Sequence, residues 1–200
     1  MKSGVAKRTF KVVGKLHVVR PRDLDAHGIP RKYLNLLYHK GLVRKSGRGL
    51  YVALGAKPTE HRSLVEVVKR VPHGVICLLS ALQFHGLTTQ LPFEVWLAID
   101  WKARIPKEPG LPIRTIRFSG KARTEGVQVH RIEGVQVRIY SPAKTIADCF
   151  KFRNKVGLDV AIEALRDGLS KRVCKVDELL KYAQVCRVSN TMKPYMEALV

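Results

Sequence analysis

Arg31, Lys32 and Asn35 fall within five consecutive residues and carry the donor patterns that read nucleic-acid base edges. An arginine guanidinium forks onto guanine O6 and N7, and an asparagine carboxamide pairs with adenine N6 and N7. Both must ride on an element narrow enough to enter a major groove. Tyr33, between them, suits a backbone phosphate better than a base. A second set, Arg44, Lys45 and Arg48, surrounds the loop Ser46-Gly47-Arg48-Gly49. Cations on such a loop lie over a phosphate ridge or reach into a minor groove. Six phosphate contacts would cost affinity on the order of 10³-fold between low and moderate salt.

These residues need three helices and a hairpin to hold them. Phe10, Val13 and Leu16 recur at helical spacing and predict a first helix. Pro21 suits the first turn of a second, with Leu24 and Ala26 on its buried side and Gly28 ending it. Pro30 starts a third over Arg31–Lys40, stopped by Gly41, with Leu34 and Leu37 facing inward. Two short helices across the tight His27-Gly28-Ile29 turn form a helix-turn-helix pattern. Leu42–Lys45 and Leu50–Val52 are β-prone runs, and the glycines between them permit a tight hairpin. The whole predicts a winged helix, with the third helix presenting Arg31, Lys32 and Asn35.

The composition agrees. The chain has 200 residues, 46% hydrophobic and 26% charged, with 37 Lys+Arg against 16 Asp+Glu and a formal charge of +21. That apolar content excludes intrinsic disorder, and the imbalance calls for a polyanionic partner. Residues 1–57 hold 14 Lys/Arg and only Asp23 and Asp25 as acids, a net +12, while residues 58–200 net +9. A boundary at Lys57-Pro58 therefore separates a basic winged-helix domain, 1–57, from a second domain, 58–200. A solvated charged face ordinarily mixes both signs, so the near absence of acid favours DNA; a protein-binding winged helix is the bland alternative. The longest apolar runs, Val75–Leu79 among them, are far short of a membrane span. The first residues lack the serine richness of a transit peptide, and the expected location is the cytoplasm.

The second domain predicts an α+β fold. Helices are expected at Glu60–Val71, Val75–His85, from Pro142 through Phe150, and at Leu158–Leu169, Val176–Val185 and Met192–Leu199. Strands are expected at Phe93–Ile99, Ile113–Phe118, Val127–Ile132 and Val135–Tyr140, forming a small, mostly antiparallel sheet. Chemistry is sparse. Asp100-Trp101-Lys102 matches the tail of a metal-dependent nuclease motif, but a second carboxylate is not suitably placed. His61, His73, His85 and His130 lack ligand spacing, and His85 before Gly86 suits a helix end. No phosphate loop or nucleophile elbow occurs, so no catalytic residue, metal or cofactor is expected. Cys77, Cys149, Cys174 and Cys186 share no CxxC spacing and read as buried thiols in helices. Lys144, Lys151, Arg153 and Lys155 form either a second anion contact or, by preference, a solvated face.

The run Val19–Ala53 resembles the amino-terminal winged helix of the AbiEi antitoxin family, through its Gly-turn between helices and its wing residues Gly41, Arg44, Gly47-Arg48-Gly49 and Tyr51. The segments Cys77–Leu87, Phe93–Ile99, Tyr140–Phe150 and Asp159–Leu169 resemble that family's carboxy-terminal domain. The resemblance implies a transcriptional autoregulator that binds inverted repeats in its own promoter. It further implies the antitoxin of a type IV toxin–antitoxin system, countering a nucleotidyltransferase toxin without a stable complex. The family's DNA contacts carry over to Arg31, Lys32 and Asn35 and to Arg44, Lys45 and Arg48. The alternative is a winged-helix DNA- or RNA-binding regulator with no toxin partner; a neighbouring nucleotidyltransferase gene separates the two.

Overall fold

A computed structural model describes residues 3–47, 49–54, 59–104 and 112–199. The chain divides into two compact units. Among the described residues, the first comprises those up to Pro72 and Arg131–Val137, the last being the tip of a β-hairpin. The expected boundary at Lys57-Pro58 lies outside the described residues.

In the first unit, α1 (Ser3–Leu16) leads into β1 (Val18–Val19). A 3-10 helix (Pro21–His27), α2 (Lys32–His39) and the hairpin β2 (Val43–Gly47) and β3 (Leu50–Ala53) follow. Helix α3 (Arg62–Arg70) closes the unit. Proline at the first turn fixes φ for helix entry, and the 3-10 helix ends at Gly28 in the left-handed conformation. The three strands form one sheet in the order β1-β3-β2, with Val18 opposite Val52 and Lys45 opposite Tyr51. Val13, Val19, Leu24, Ile29, Leu34, Leu37, Val43 and Tyr51 bury a common core. The expected winged helix is present, with the additional two-residue β1 that sequence periodicity is too short to reveal.

The second unit holds His73–Arg104, Pro112–His130 and Arg138–Val200. Its sheet is built from β4 (Val75–Ile76), β5 (Val95–Asp100), β6 (Ile113–Phe118) and the hairpin β7 (Val127–Ile132) and β8 (Val135–Tyr140), whose tip is counted with the first unit, in the order β6-β5-β4-β8-β7. Its helices are α4 (Leu78–Phe84), α5 (Lys121–Thr124), α6 (Pro142–Lys151), α7 (Arg153–Val156), α8 (Leu158–Ser170), α9 (Val176–Cys186) and α10 (Ser189–Glu197). The α+β class is as expected. In detail, β4 runs antiparallel to β5 but parallel to β8, and β5 runs parallel to β6. Strand direction depends on where a long connection returns, which local patterning does not encode.

Val75–His85 is not one helix. Two residues of strand and the extended Cys77 precede α4, and Leu78 turns the chain with φ 47°. Val75–Leu82 is buried throughout, and an apolar run without periodicity does not distinguish strand from helix. Helix α6 begins as predicted: the Ser141 hydroxyl accepts the Lys144 N–H and Pro142 occupies the first turn. The four cysteines are free and buried. Only Cys149 and Cys186 lie in helices, since Cys77 precedes α4 and Cys174 occupies the α8–α9 loop. Among the described residues, no helix is long and apolar enough to cross a membrane.

Candidate nucleic-acid interface

The first turn of α2 projects from the helix-turn-helix with its apolar residues, Leu34 and Leu37, turned into the core. Arg31, Lys32 and Asn35 are exposed around that turn, whereas Tyr33 is half-buried and packs on the core. Lys32 Nζ lies 5.9 Å from the centre of the Tyr33 ring. Arg31 reaches back to Asp25 of the 3-10 helix, its Nε donating to both carboxylate oxygens at 3.0 and 3.1 Å. The hydrogen bond from Arg31 holds the Asp25 carboxyl below its ordinary range, and the same bond raises the guanidinium. Both side chains stay wet, at 62% and 48% exposure, so the pair is readily exchanged for another anion.

The wing is tied to α2 through tyrosines. Tyr51 of β3 donates its hydroxyl to Asn35 Oδ1 at 2.8 Å, and its ring meets Tyr38 edge-on at 6.1 Å. Lys45 Nζ sits 4.6 Å from the Tyr38 ring centre, a cation held against the aromatic face. Asn35 and Lys45 therefore share one aromatic platform, and the Asn35 amide NH₂ remains as a donor. Arg44 is exposed, but strand alternation turns it to the opposite face of the hairpin from Lys45. Arg48 lies outside the described residues. The structure thus brings Arg31, Lys32, Asn35 and Lys45 to one surface and sets Arg44 apart.

A buttress behind the wing has no counterpart in the sequence reading. Ser46 Oγ donates to Glu66 Oε2 at 2.8 Å, and Arg70 of α3 donates to the Ser46 carbonyl at 2.5 Å. Glu66 and Arg70 are each only 8% exposed. Lys69 pairs with Asp23, whose carboxylate also accepts the Arg20 N–H at 2.8 Å. These contacts span 20 residues or more for the α3 pairs, so no local pattern announces them; the one clue is two charges within an otherwise apolar helix face. Their effect is electrostatic as well as mechanical. Asp23 and Glu66 are engaged behind the wing, and Asp25, which stays exposed, is paired with Arg31.

The other candidates resolve differently. Lys144 is not part of a solvated face: it is fully buried and pairs with Asp148 at 2.5 Å. Arg153 is half-buried and donates to the Phe150 carbonyl at 3.0 Å, and only Lys151 and Lys155 are exposed. Asp100 meets Arg123 at 3.6 Å and Glu94 meets Arg114 at 3.0 Å, so both carboxylates face cations instead of each other. Among the described residues no three His, Cys, Asp or Glu side chains are grouped to hold a metal ion. His85 ends α4, and its Nε2 lies 2.7 Å from the Tyr140 carbonyl.

Comparison with known proteins now places this unit. Residues 8–53 match the family described as transcriptional regulator, AbiEi antitoxin. The AbiEi-matching segment takes in most of α1, the helix-turn-helix and the wing, and α3 with its buttress lies beyond it. A search of curated proteins finds no match. Among solved structures, the crystal structure of the RV2827C protein from Mycobacterium tuberculosis superposes with a TM-score of 0.61 over 90% of this chain and 71% of that one, at 13% identity. Identity that low speaks for a shared fold.

Proposed function

We propose that this protein is a sequence-specific DNA-binding repressor whose first 57 residues read an operator through α2 and the wing. The reading is carried by one observation: Asn35, in the exposed first turn of α2, and Lys45 are held on one tyrosine platform, while Glu66 behind the wing is engaged by Ser46. Arg31 leaves Asp25 to fork onto a guanine, Asn35 presents its amide to an adenine, and Lys32, Tyr33, Arg44, Lys45 and Arg48 contact phosphates. Two copies on an inverted repeat would place two such helices about one helical turn apart. The AbiEi match supports the further reading of an antitoxin that counters a nucleotidyltransferase toxin without a stable complex. It also favours a regulatory over a catalytic role.

Fluorescence anisotropy with the protein's own upstream duplex tests the repressor reading. Wild type is expected to prefer that duplex over a scrambled one, Arg31→Ala to lose about 1–3 kcal/mol together with base preference, and Lys45→Ala to lower the salt slope by about 1. Equal affinity of the wild type for both duplexes would refute it. For the toxin, the test is a neighbouring nucleotidyltransferase frame whose toxicity this chain relieves on co-expression.

A further inference from the structure

We infer that the basic hollow beside α1 is a second phosphate subsite for the same duplex, a step that rests on the DNA-binding reading above. The hollow measures about 430 Å³ and takes its charge from Arg8, Lys11 and Lys15 of α1 and Arg131 of the hairpin tip, with His27 of the 3-10 helix also lining it. Arg8, Lys11 and Lys15 recur at intervals of three and four residues, which puts them on one helix face. Arg8 also donates to the His27 carbonyl at 3.0 Å, tying α1 to the end of the 3-10 helix.

The hairpin tip is brought in by a close approach that requires glycine. Gly134 has φ 76°, and a Cβ there would stand 3.2 Å from the Lys15 carbonyl oxygen and 3.3 Å from Leu16. This approach sets Arg131 opposite the α1 cations. The acid next to it is diverted: Glu133 accepts the Thr59 hydroxyl at 2.7 Å and lies 3.9 Å from Arg62. Four permanent cations converge with no carboxylate among the described lining residues, an arrangement that raises its own free energy until an anion enters.

A backbone phosphate is the anion that fits the position. His27 ends the helix that precedes α2, and in helix-turn-helix complexes that preceding helix crosses the DNA backbone. Only Gly28, Ile29 and Pro30 separate His27 from Arg31. The hollow therefore flanks the reading helix and takes the strand beyond the groove, extending the footprint outside the bases that α2 touches.

The experiment is a salt titration of wild type, Lys11→Gln/Arg131→Gln and Arg131→Lys against the upstream duplex, paired with hydroxyl-radical footprinting and thermal melts. Each lost phosphate contact removes about 0.9 from the slope of log K against log salt. Between 50 and 200 mM salt the wild type is then expected to lose about twelvefold more affinity than the double variant. Flanking backbone protection should vanish while base preference stays, and Arg131→Lys should retain the wild-type slope. An unchanged slope and footprint in a folded double variant would overturn the subsite and leave the repressor reading standing. Uptake of inorganic phosphate with an unchanged DNA slope would also overturn it, by assigning the hollow to a free ion. Failure of the wild type to bind any duplex would overturn both.

Discussion

Replacing Asp148 by asparagine should unfold the second unit far more readily than any surface change. Lys144 and Asp148 are each 0% exposed, four residues apart on α6, with Nζ and Oδ2 at 2.5 Å. Asp148 Oδ1 also accepts the Cys186 thiol of α9 at 3.2 Å, and the Lys144 ammonium lies 4.3 Å from the Tyr140 ring centre and 5.1 Å from that of Phe118. Burial pushes the Asp148 carboxyl up, and Lys144 opposes that shift. Removing the carboxylate leaves an ammonium in an apolar surround, a loss of about 3–5 kcal/mol. Against a typical domain stability of about 5–15 kcal/mol, this consumes a large share. Lys144→Met/Asp148→Leu removes both charges at similar volume and should recover most of the loss. Both tryptophans, Trp96 and Trp101, lie in the second unit, so urea unfolding followed by their fluorescence reads that unit directly. A change below about 1 kcal/mol for Asp148→Asn would refute the buried-pair reasoning, because a lone buried charge is never that cheap.

Three further outcomes follow from contacts already described. Glu66→Ala breaks the Ser46 bond and should cost about 1.5–3 kcal/mol, seen as faster hydrogen exchange in β2 and β3 and weaker duplex binding. His85 is held below its ordinary value of 6.5 first by burial, against the pull of the Tyr140 carbonyl. The unfolded chain therefore takes up the proton first as pH falls through about 6.5, and the melting temperature should drop between pH 7.5 and 5.5. His130, also lowered by burial, acts in the same direction, so His85→Gln should flatten the profile without abolishing it. Gly41 has φ 65° with open space where a Cβ would go, so Gly41→Ala should lose about 1–2 kcal/mol from backbone strain alone, measurable by urea titration.

What the sequence revealed and what it concealed divide along contact range. The helix-turn-helix and wing were legible because proline, glycine and apolar spacing act within a turn or two, as at Pro21, Gly28 and Gly41. The Ser141-Pro142 start of α6 was legible for the same reason. Lys144 was misread because a lysine four residues before an aspartate looks like a solvated helix pair. Only the packing of α6 against its neighbours makes that pair internal. Asn35 gave no sign that its carboxamide oxygen accepts the Tyr51 hydroxyl, 16 residues away. Glu66 and Arg70 carry no local sign of their role, since their partner, Ser46, is brought to them by the fold. Arg44 and Lys45 looked equivalent until the β2–β3 register placed them on opposite faces.

The measurement that bears most directly on the repressor claim is an NMR titration of the protein with its own upstream duplex. Intermolecular contacts are expected from the Asn35 side-chain amide and the Arg31 guanidinium to major-groove base protons, together with loss of the Arg31–Asp25 pair. Contacts confined to the second unit, with α2 and the Tyr38–Tyr51 platform unshifted at saturation, would contradict it.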